Sequence, residues 1–305
     1  MEFFNSLFDT KLDKACAITV GKFDGIHKGH SLLTSNIKAM KSNGLSSCIV
    51  TFVNSPRLAL KKDELPSLIT NFERERMLES LGIDFLIECP FDDRMMKTSG
   101  EDFIKLLCEN LNMKYLTVGS DFKFGYKGLG DVQLLNTLSE KFNFELDVVE
   151  KLQKDNRDIS STFIREELLN GNITNVNDML GYDYFVWGEI VHGNHLGHRM
   201  GIPTINILPP KEKLIPLFGV YATTVEINGR LYHGVTNVGM KPTVSNTKQV
   251  TIETNIMDFD GDLYGEVLKV TFKQFIRPET KFNSIDELVK QMNLDKKKAI
   301  DFFNK

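Results

Sequence analysis

The 305-residue sequence has no stretch approaching 18 uninterrupted apolar residues, so no segment reads as a bilayer span. Residues 1–20 carry Glu2, Asp9 and Asp13 and no apolar core of signal-peptide length, which leads to the expectation of a soluble cytoplasmic protein. Cysteine is scarce. Cys16, Cys48, Cys89 and Cys108 lie far apart in apolar contexts and form no Cys-x-x-Cys, which predicts buried thiols in a reducing compartment and no zinc held through sulfur. Positive charge is not in excess either: the net charge is −4 and the pI about 5.9, so no global field draws the chain to nucleic acid or to an anionic membrane, and neither partner is expected. With 22 Gly and 9 Pro the chain is neither collagen-like nor low-complexity. What is present is 41% hydrophobic and 26% charged residues, enough for ordinary cores, and the length suits two compact units at about 100–200 residues per domain.

From residue 15 to about 180, apolar runs alternate with helical patterns. The runs are Ala15 to Val20, Ser47 to Phe52, Phe85 to Cys89, Tyr115 to Val118 and Phe144 to Val149. Between them, helices are predicted from Ser31 to Met40, ending near Gly44, from Asn71 to Leu81 behind Thr70-x-x-Glu73, from Ser99 to Leu111, and from Asp131 to Phe142. Such alternation predicts a parallel sheet covered by helices on both faces. After Gly181, strands are predicted at Phe185 to His192, Gly219 to Ile227, Arg230 to Asn237, Gln249 to Asp258 and Leu263 to Phe275, with turns at Asn228-Gly229 and Asp260-Gly261. This half reads as an antiparallel sheet or small barrel, closed by a charged helical end from Ser284 to Lys305. The boundary is expected at 182/183, and Lys151 to Asp158 reads as a solvated loop.

In Thr19-Val-Gly-Lys-Phe-Asp-Gly-Ile-His-Lys-Gly-His30 a buried strand stops at glycines and a helix begins, with amide N–H groups and the imidazoles of His27 and His30 together. That is a site for triphosphate oxygens, with Gly29 allowing close backbone approach; the alternative is a tight turn with incidental histidines. A second G-x-H-x-G-H, from Gly193 to His198, runs into Gly201 and Pro203, so it opens no helix and the repeat is coincidental. His192, His195 and His198 lack the spacing of a zinc site, and no structural metal is expected. Ser160, Ser161 and Thr162 precede a helical stretch that they could cap while Arg165 forks toward a pyrophosphate. Phe122, Phe124 and Tyr126, interleaved with glycine, offer planar surfaces for a ring system, or form a partly buried loop. Gly188, Gly193, Gly197 and Gly201 punctuate a strand and loop able to fold over phosphates, or serve as a flexible connection. Thr204 and Asn206, two apart in an extended segment, point to one side and could hold one Mg²⁺-phosphate. Glu253 is the only carboxylate from Thr251 to Asn255, among strand formers, and reads either as a working group or as an exposed strand glutamate.

The segment Gly21 to His30 resembles the H-x-G-H signature of nucleotidyltransferases, in the form found in the bacterial bifunctional riboflavin kinase/FMN adenylyltransferase family. Gly119-Ser-Asp-Phe-Lys-Phe-Gly125, Ile159-Ser-Ser-Thr-Phe-Ile-Arg165, Gly201-Ile-Pro-Thr-Ile-Asn206, Gly219-Val-Tyr221 and Ile252-Glu-Thr-Asn-Ile256 resemble further blocks of that family in order. The resemblance implies an α/β plus all-β chain. A Rossmann-like nucleotidyltransferase domain, residues 1–182, is followed by a small antiparallel β-barrel with C-terminal helices, residues 183–305. It implies ATP-dependent phosphorylation of riboflavin to FMN, then adenylylation of FMN to FAD with release of pyrophosphate. In the first half it assigns His27 and His30 to catalysis, Gly21, Phe23, Asp24, Gly29, Ser160, Thr162 and Arg165 to ATP, and Asp121, Phe122 and Phe124 to the flavin. In the second, Gly188, Gly193, Gly197, Gly201, Thr204 and Asn206 take ATP, Thr204 and Asn206 hold Mg²⁺ with it, and Glu253 is the base for the ribityl 5′-hydroxyl. Asn54-Ser55, His198, Phe218 and Asn255 depart from the family pattern. The first departure opens a second reading, a riboflavin kinase whose adenylyltransferase half is weakened and mainly binds. Two further readings stay open, a different nucleotidyltransferase with a substrate-binding barrel and a non-catalytic flavin sensor; the first is separated by whether Thr204, Asn206 and Glu253 meet.

Overall fold

A computed structural model describes residues 1–53, 66–191, 204–242, 248–261 and 263–304. The chain divides into two compact units, one of residues 1–65 and 69–160, the other of residues 66–68 and 161–305.

The first unit is built on six parallel strands: β1 (Glu2–Phe4), β2 (Cys16–Val20), β3 (Ser46–Phe52), β4 (Phe85–Cys89), β5 (Met113–Gly119) and β6 (Glu145–Val149), in the spatial order β1-β4-β3-β2-β5-β6. Helices α1 (Lys28–Ala39), α2 (Asn71–Ser80), α3 (Asp93–Lys97), α4 (Gly100–Asn110) and α5 (Val132–Phe142) connect them. β2 and β4 are buried along their whole length, as their unbroken apolar runs require of strands covered on both faces. Alternate residues feed two cores, Ile18, Val50 and Leu116 on one side and Ala17, Ile49, Leu86 and Ile37 of α1 on the other. The Thr70-x-x-Glu73 signal forms a complete capping box at α2. The order reverses between β2 and β5, and in open parallel sheets ligands bind in the crevice beyond the carboxyl ends of the strands at such a reversal. Asp147 on β6 accepts hydrogen bonds from Asn36 of α1 at 2.7 Å and from Thr117 and Tyr115 of β5 at 2.9 and 3.0 Å, so α1 is pinned across β5 and β6.

Lys151 to Asp158 is largely exposed, as expected of a solvated segment, but it is not all loop. It contains a hairpin, β7 (Gln153–Lys154) against β8 (Arg157–Asp158), turning at Asp155 and Asn156, both with positive φ as a tight hairpin turn demands.

In the second unit, α6 (Ser161–Leu169) and α7 (Ile173–Leu180) lead into a closed antiparallel barrel. Its strands are β9 (Phe185–Val191), β10 (Ile205–Leu208), β11 (Gly219–Ile227), β12 (Arg230–Pro242), β13 (Lys248–Ile256) and β14 (Val267–Pro278), in the order β10-β13-β12-β11-β14-β9. Asn228 and Gly229, at φ 50° and 76°, make the expected turn between β11 and β12. Thr223, Thr236 and Thr254 are fully buried and linked by 2.8 Å hydroxyl contacts, satisfying one another where water is excluded. Among the described residues one helix follows the barrel, α8 (Ile285–Phe303), rather than the plural helices expected. It is tied to β14 by a bidentate pair between Arg277 and the buried Asp295. α7 is stitched on by Asn177, which donates to the Phe272 carbonyl at 2.9 Å and accepts from the Tyr184 N–H at 2.8 Å.

Gly188 sits where β10 crosses close to β9: a Cβ there would lie 2.7 Å from the Leu208 carbonyl oxygen and 2.5 Å from a methyl of Ile207. Gly188→Ala should therefore destabilise the barrel by about 1–3 kcal/mol through overpacking. Urea unfolding followed at Trp187, on β9 itself, would check this as a lowered midpoint at constant slope.

Candidate functional site

The loop after β2 occupies the crevice at the strand-order reversal. Phe23 and Ile26 take left-handed φ values of 49° and 37°, and Gly25 one of 94°, so the backbone doubles back before α1 begins. His27 is the residue preceding α1; its side chain does not cap the helix, and no acidic residue lies in the first turn. That end of the helix dipole is therefore left facing the crevice without a negative group of its own. The ring of His27 lies over Gly29, where a Cβ would be 3.2 Å from two ring atoms, so only glycine fits without displacing the imidazole. His27 and His30 stack with centroids 3.8 Å apart, and Phe23 packs on His30 at 4.9 Å.

Both imidazoles are held neutral. Burial pushes the His27 pKa down to about 4, only partly offset by the Asp24 carboxylate, and burial with the neighbouring His27 holds His30 well below the usual range. The Nδ1 atoms of both rings, and the hydroxyl of Thr19 on β2, are buried without a hydrogen-bond partner. Three unsatisfied polar atoms in one strand, loop and helix start are uncommon in a folded interior and mark this turn as a place where packing is not set by hydrogen bonding alone. Asp24 is 3% exposed and accepts from the Ile69 N–H at 3.4 Å, so it serves to hold the loop.

The loop after β5 flanks the same crevice. Phe124 is buried in the core against Phe103, stacked on Phe122 at 5.5 Å, so it anchors the loop, while Phe122 is partly buried and Tyr126 is exposed. Asp121 pairs with Lys151 at 2.7 Å. Ser160 ends the first unit. α6 begins at Ser161, so Thr162 lies inside its first turn rather than ahead of it. Arg165, in the second unit, donates to the Pro66 carbonyl at 3.2 Å.

In the barrel, register does what sequence spacing cannot. Asn206 of β10 pairs directly with Glu253 of β13, and Glu253 pairs on its other side with Asn237 of β12, so two amides flank one carboxylate in a single cross-strand row. Asn206 is buried and Glu253 partly so. Asn237 escaped the sequence reading because no short-range signal aligns β12 with β13. Thr204 stands two residues before Asn206, at the entrance to β10. Amide and carboxylate oxygens such as those of Asn206 and Glu253 suit a hard cation such as Mg²⁺ rather than zinc; the β10–β13 pairing begins at Ile205, so register brings Asn206 to Glu253 and leaves Thr204 ahead of the ladder. Gly193, Gly197, Gly201, His195 and His198 lie outside the described residues, as do Asn54 and Ser55.

Comparison with known proteins also finds two parts. A family model described as FAD synthetase matches residues 9–163, and one described as riboflavin kinase matches residues 180–303. A bifunctional riboflavin kinase/FMN adenylyltransferase from Bacillus subtilis is 35% identical over 94% of this chain and 92% of its own length. The protein of the same name from Escherichia coli K12 is 33% identical over 95% and 93%. A crystal structure described as a macrolide-efflux protein from Streptococcus pneumoniae superposes with a TM-score of 0.88 at 31% identity, covering 97% of each chain. Among the described residues of this chain, no helix is long and apolar enough to cross a membrane.

The depressed imidazole pKa fixes a pH dependence. Between pH 6.5 and about 4 the unfolded chain binds a proton at His27 that the folded chain does not, so the stability tied to the neutral ring is complete above pH 6.5 and lost as pH falls toward 4. His27→Gln should flatten that loss, read as a smaller difference between urea midpoints at pH 7 and pH 5.

Proposed function

The chain belongs to the bifunctional riboflavin kinase/FMN adenylyltransferase family, an enzyme family that uses ATP for both steps, and from that premise we propose how its residues divide the work. The barrel, taken as residues 183–305, phosphorylates riboflavin. Residues 1–182 then join AMP from a second ATP to the FMN phosphate, releasing pyrophosphate. The observation that supports this division is that Asn206 and Glu253 are cross-strand partners in the second unit, while His27 and His30 stack over a helix start in the first.

In the barrel, Glu253 accepts the proton of the ribityl 5′-hydroxyl, and its placement beside Asn206 brings that hydroxyl to the phosphates. Thr204 and Asn206 would hold Mg²⁺ with ATP, the metal supplying charge neutralisation on the transferred phosphoryl group. Gly188, Gly193, Gly197 and Gly201 belong to the ATP-binding segment of this reading.

In the first unit, the FMN phosphate attacks the α-phosphorus of ATP. The neutral imidazoles and the α1 N-terminus stabilise the charge that develops there. Gly21, Phe23, Asp24 and Gly29 shape the loop around ATP, and Asp121, Phe122 and Phe124 form the flavin side; within residues 1–182 the family resemblance also gives Ser160 to the pyrophosphate, together with Thr162 and Arg165, which lie on α6. The protein acts on riboflavin, FMN and ATP.

Incubation with riboflavin, ATP and Mg²⁺, resolving the three flavins over time, tests the reading: FMN should rise first and FAD follow. FMN accumulating without FAD would favour the weakened-adenylyltransferase alternative that Asn54 and Ser55 raise. His30→Ala should lower FAD formation by about a hundred- to a thousandfold, the usual effect of losing one preorganised stabiliser, and spare FMN formation. Glu253→Gln keeps the side-chain shape and removes the base. Kinase kcat should fall by about a hundred- to ten-thousandfold with little change in KM, and FAD formation from supplied FMN should be unaffected.

A further inference from the structure

We propose that Arg74, held by Glu88, is a positioning residue for adenylyl transfer: its guanidinium fixes the Lys22 carbonyl and so the left-handed bend that aims the two imidazoles. Arg74 on α2 and Glu88 on β4 are 3% and 6% exposed. Nε of Arg74 donates to Glu88 Oε1 at 3.1 Å, and Nη2 donates to the same oxygen. A buried ion pair adds little to stability over an apolar pair of similar size, because both charges must be stripped of water. Its presence here has a second consequence. Nη1 of the same guanidinium reaches across to the Lys22 carbonyl at 3.4 Å, and the Thr51 hydroxyl donates to that carbonyl from β3 at 3.2 Å.

Lys22 immediately precedes Phe23, a non-glycine residue at φ 49°. Such a conformation persists where the surroundings over-determine it, and two donors fix it from one side. From the other side the lead-in to α2 holds Asp24 through the Ile69 N–H. The bend turns the Phe23 ring over Gly21, where a Cβ would be 3.3 Å away, and against His30, which stacks on His27. Glu88 therefore orients Arg74, Arg74 orients Lys22, and the ring of Phe23 passes that constraint to both imidazoles. Arg74 and Glu88 lie outside the loop that carries the imidazoles; their effect is on where those imidazoles stand, and displacement of about 1 Å in such groups costs on the order of a hundredfold in rate.

The inference rests on the adenylyltransferase reading, and unchanged protein that forms no FAD would overturn that reading first. The variants are Arg74→Lys and the double replacement Arg74→Met with Glu88→Leu, which removes the pair without stranding a buried charge. Each is assayed in the full chain for thermal unfolding, for riboflavin kinase turnover as an internal control, and for FAD formation from supplied FMN. Lys keeps a cation for Glu88 but lacks the fork that also reaches Lys22. The expected result is a kcat for FAD formation lowered about ten- to a hundredfold in both variants, KM for ATP changed less than about threefold, and kinase turnover unchanged, with melting within a few degrees of the unaltered protein in at least one variant. Retention of near-normal FAD turnover by either variant overturns the proposal. So does a loss of FAD formation that follows the loss of thermal stability variant by variant.

Discussion

Because β2 and β5 run parallel at the place where the strand order reverses, the chain leaving β2 and the chain leaving β5 depart toward opposite faces of the sheet and leave a crevice between them. The rest of the first unit is arranged around that gap. The loop from β2 doubles back through left-handed residues before α1, the loop from β5 is weighted down by Phe124 in the core, and Asp147 ties α1 to both neighbouring strands. Two neutral imidazoles are thereby held at the mouth of the crevice in water-poor surroundings. Any polar interaction they make is stronger there than it would be in bulk solvent.

The barrel solves a similar problem by other means. A parallel sheet offers its loops at one edge, but an antiparallel ladder sets side chains opposite one another directly. Residues 206, 237 and 253 come from three strands and are brought into one row by register alone. The position of each is therefore only as good as the ladder around it, to which the close crossing at Gly188 and the adjoining threonine chain of residues 223, 236 and 254 both contribute.

Elements with strong local signals were legible from the sequence. Phe85–Cys89 and Gly219–Ile227 end where their apolar runs and turn residues indicate, and α2 begins at its capping box. Short elements escaped for want of periodicity: β1 has three residues, and α3 has five behind an Asp92 cap. β14 starts at Val267 rather than Leu263 because Gly265, at φ 78°, turns the chain first. Helix α7 had a readable pattern in Ile173, Val176, Met179 and Leu180, closed by Gly181 in the left-handed conformation. There the glycine registered as a boundary signal, while compactness groups α6 and α7 with the barrel. The histidines and Glu253 were legible as residue types. The adjacency of Asn237, and the reach of Arg74 to Lys22, were not, because both depend on pairings between segments distant in sequence.

The small segment of residues 66–68 has a bearing on how the chain is made. It belongs to the barrel unit: Ser67 bridges to Lys213, and the Lys213 ammonium donates to the Leu68 carbonyl at 2.7 Å across 145 positions of sequence. During synthesis these three residues emerge while most of the first unit is still unmade. Their partners leave the ribosome only after that unit's last strand. The second unit is thus discontinuous along the chain, and residues 66–68 find these partners only once the segment around Lys213 has been made.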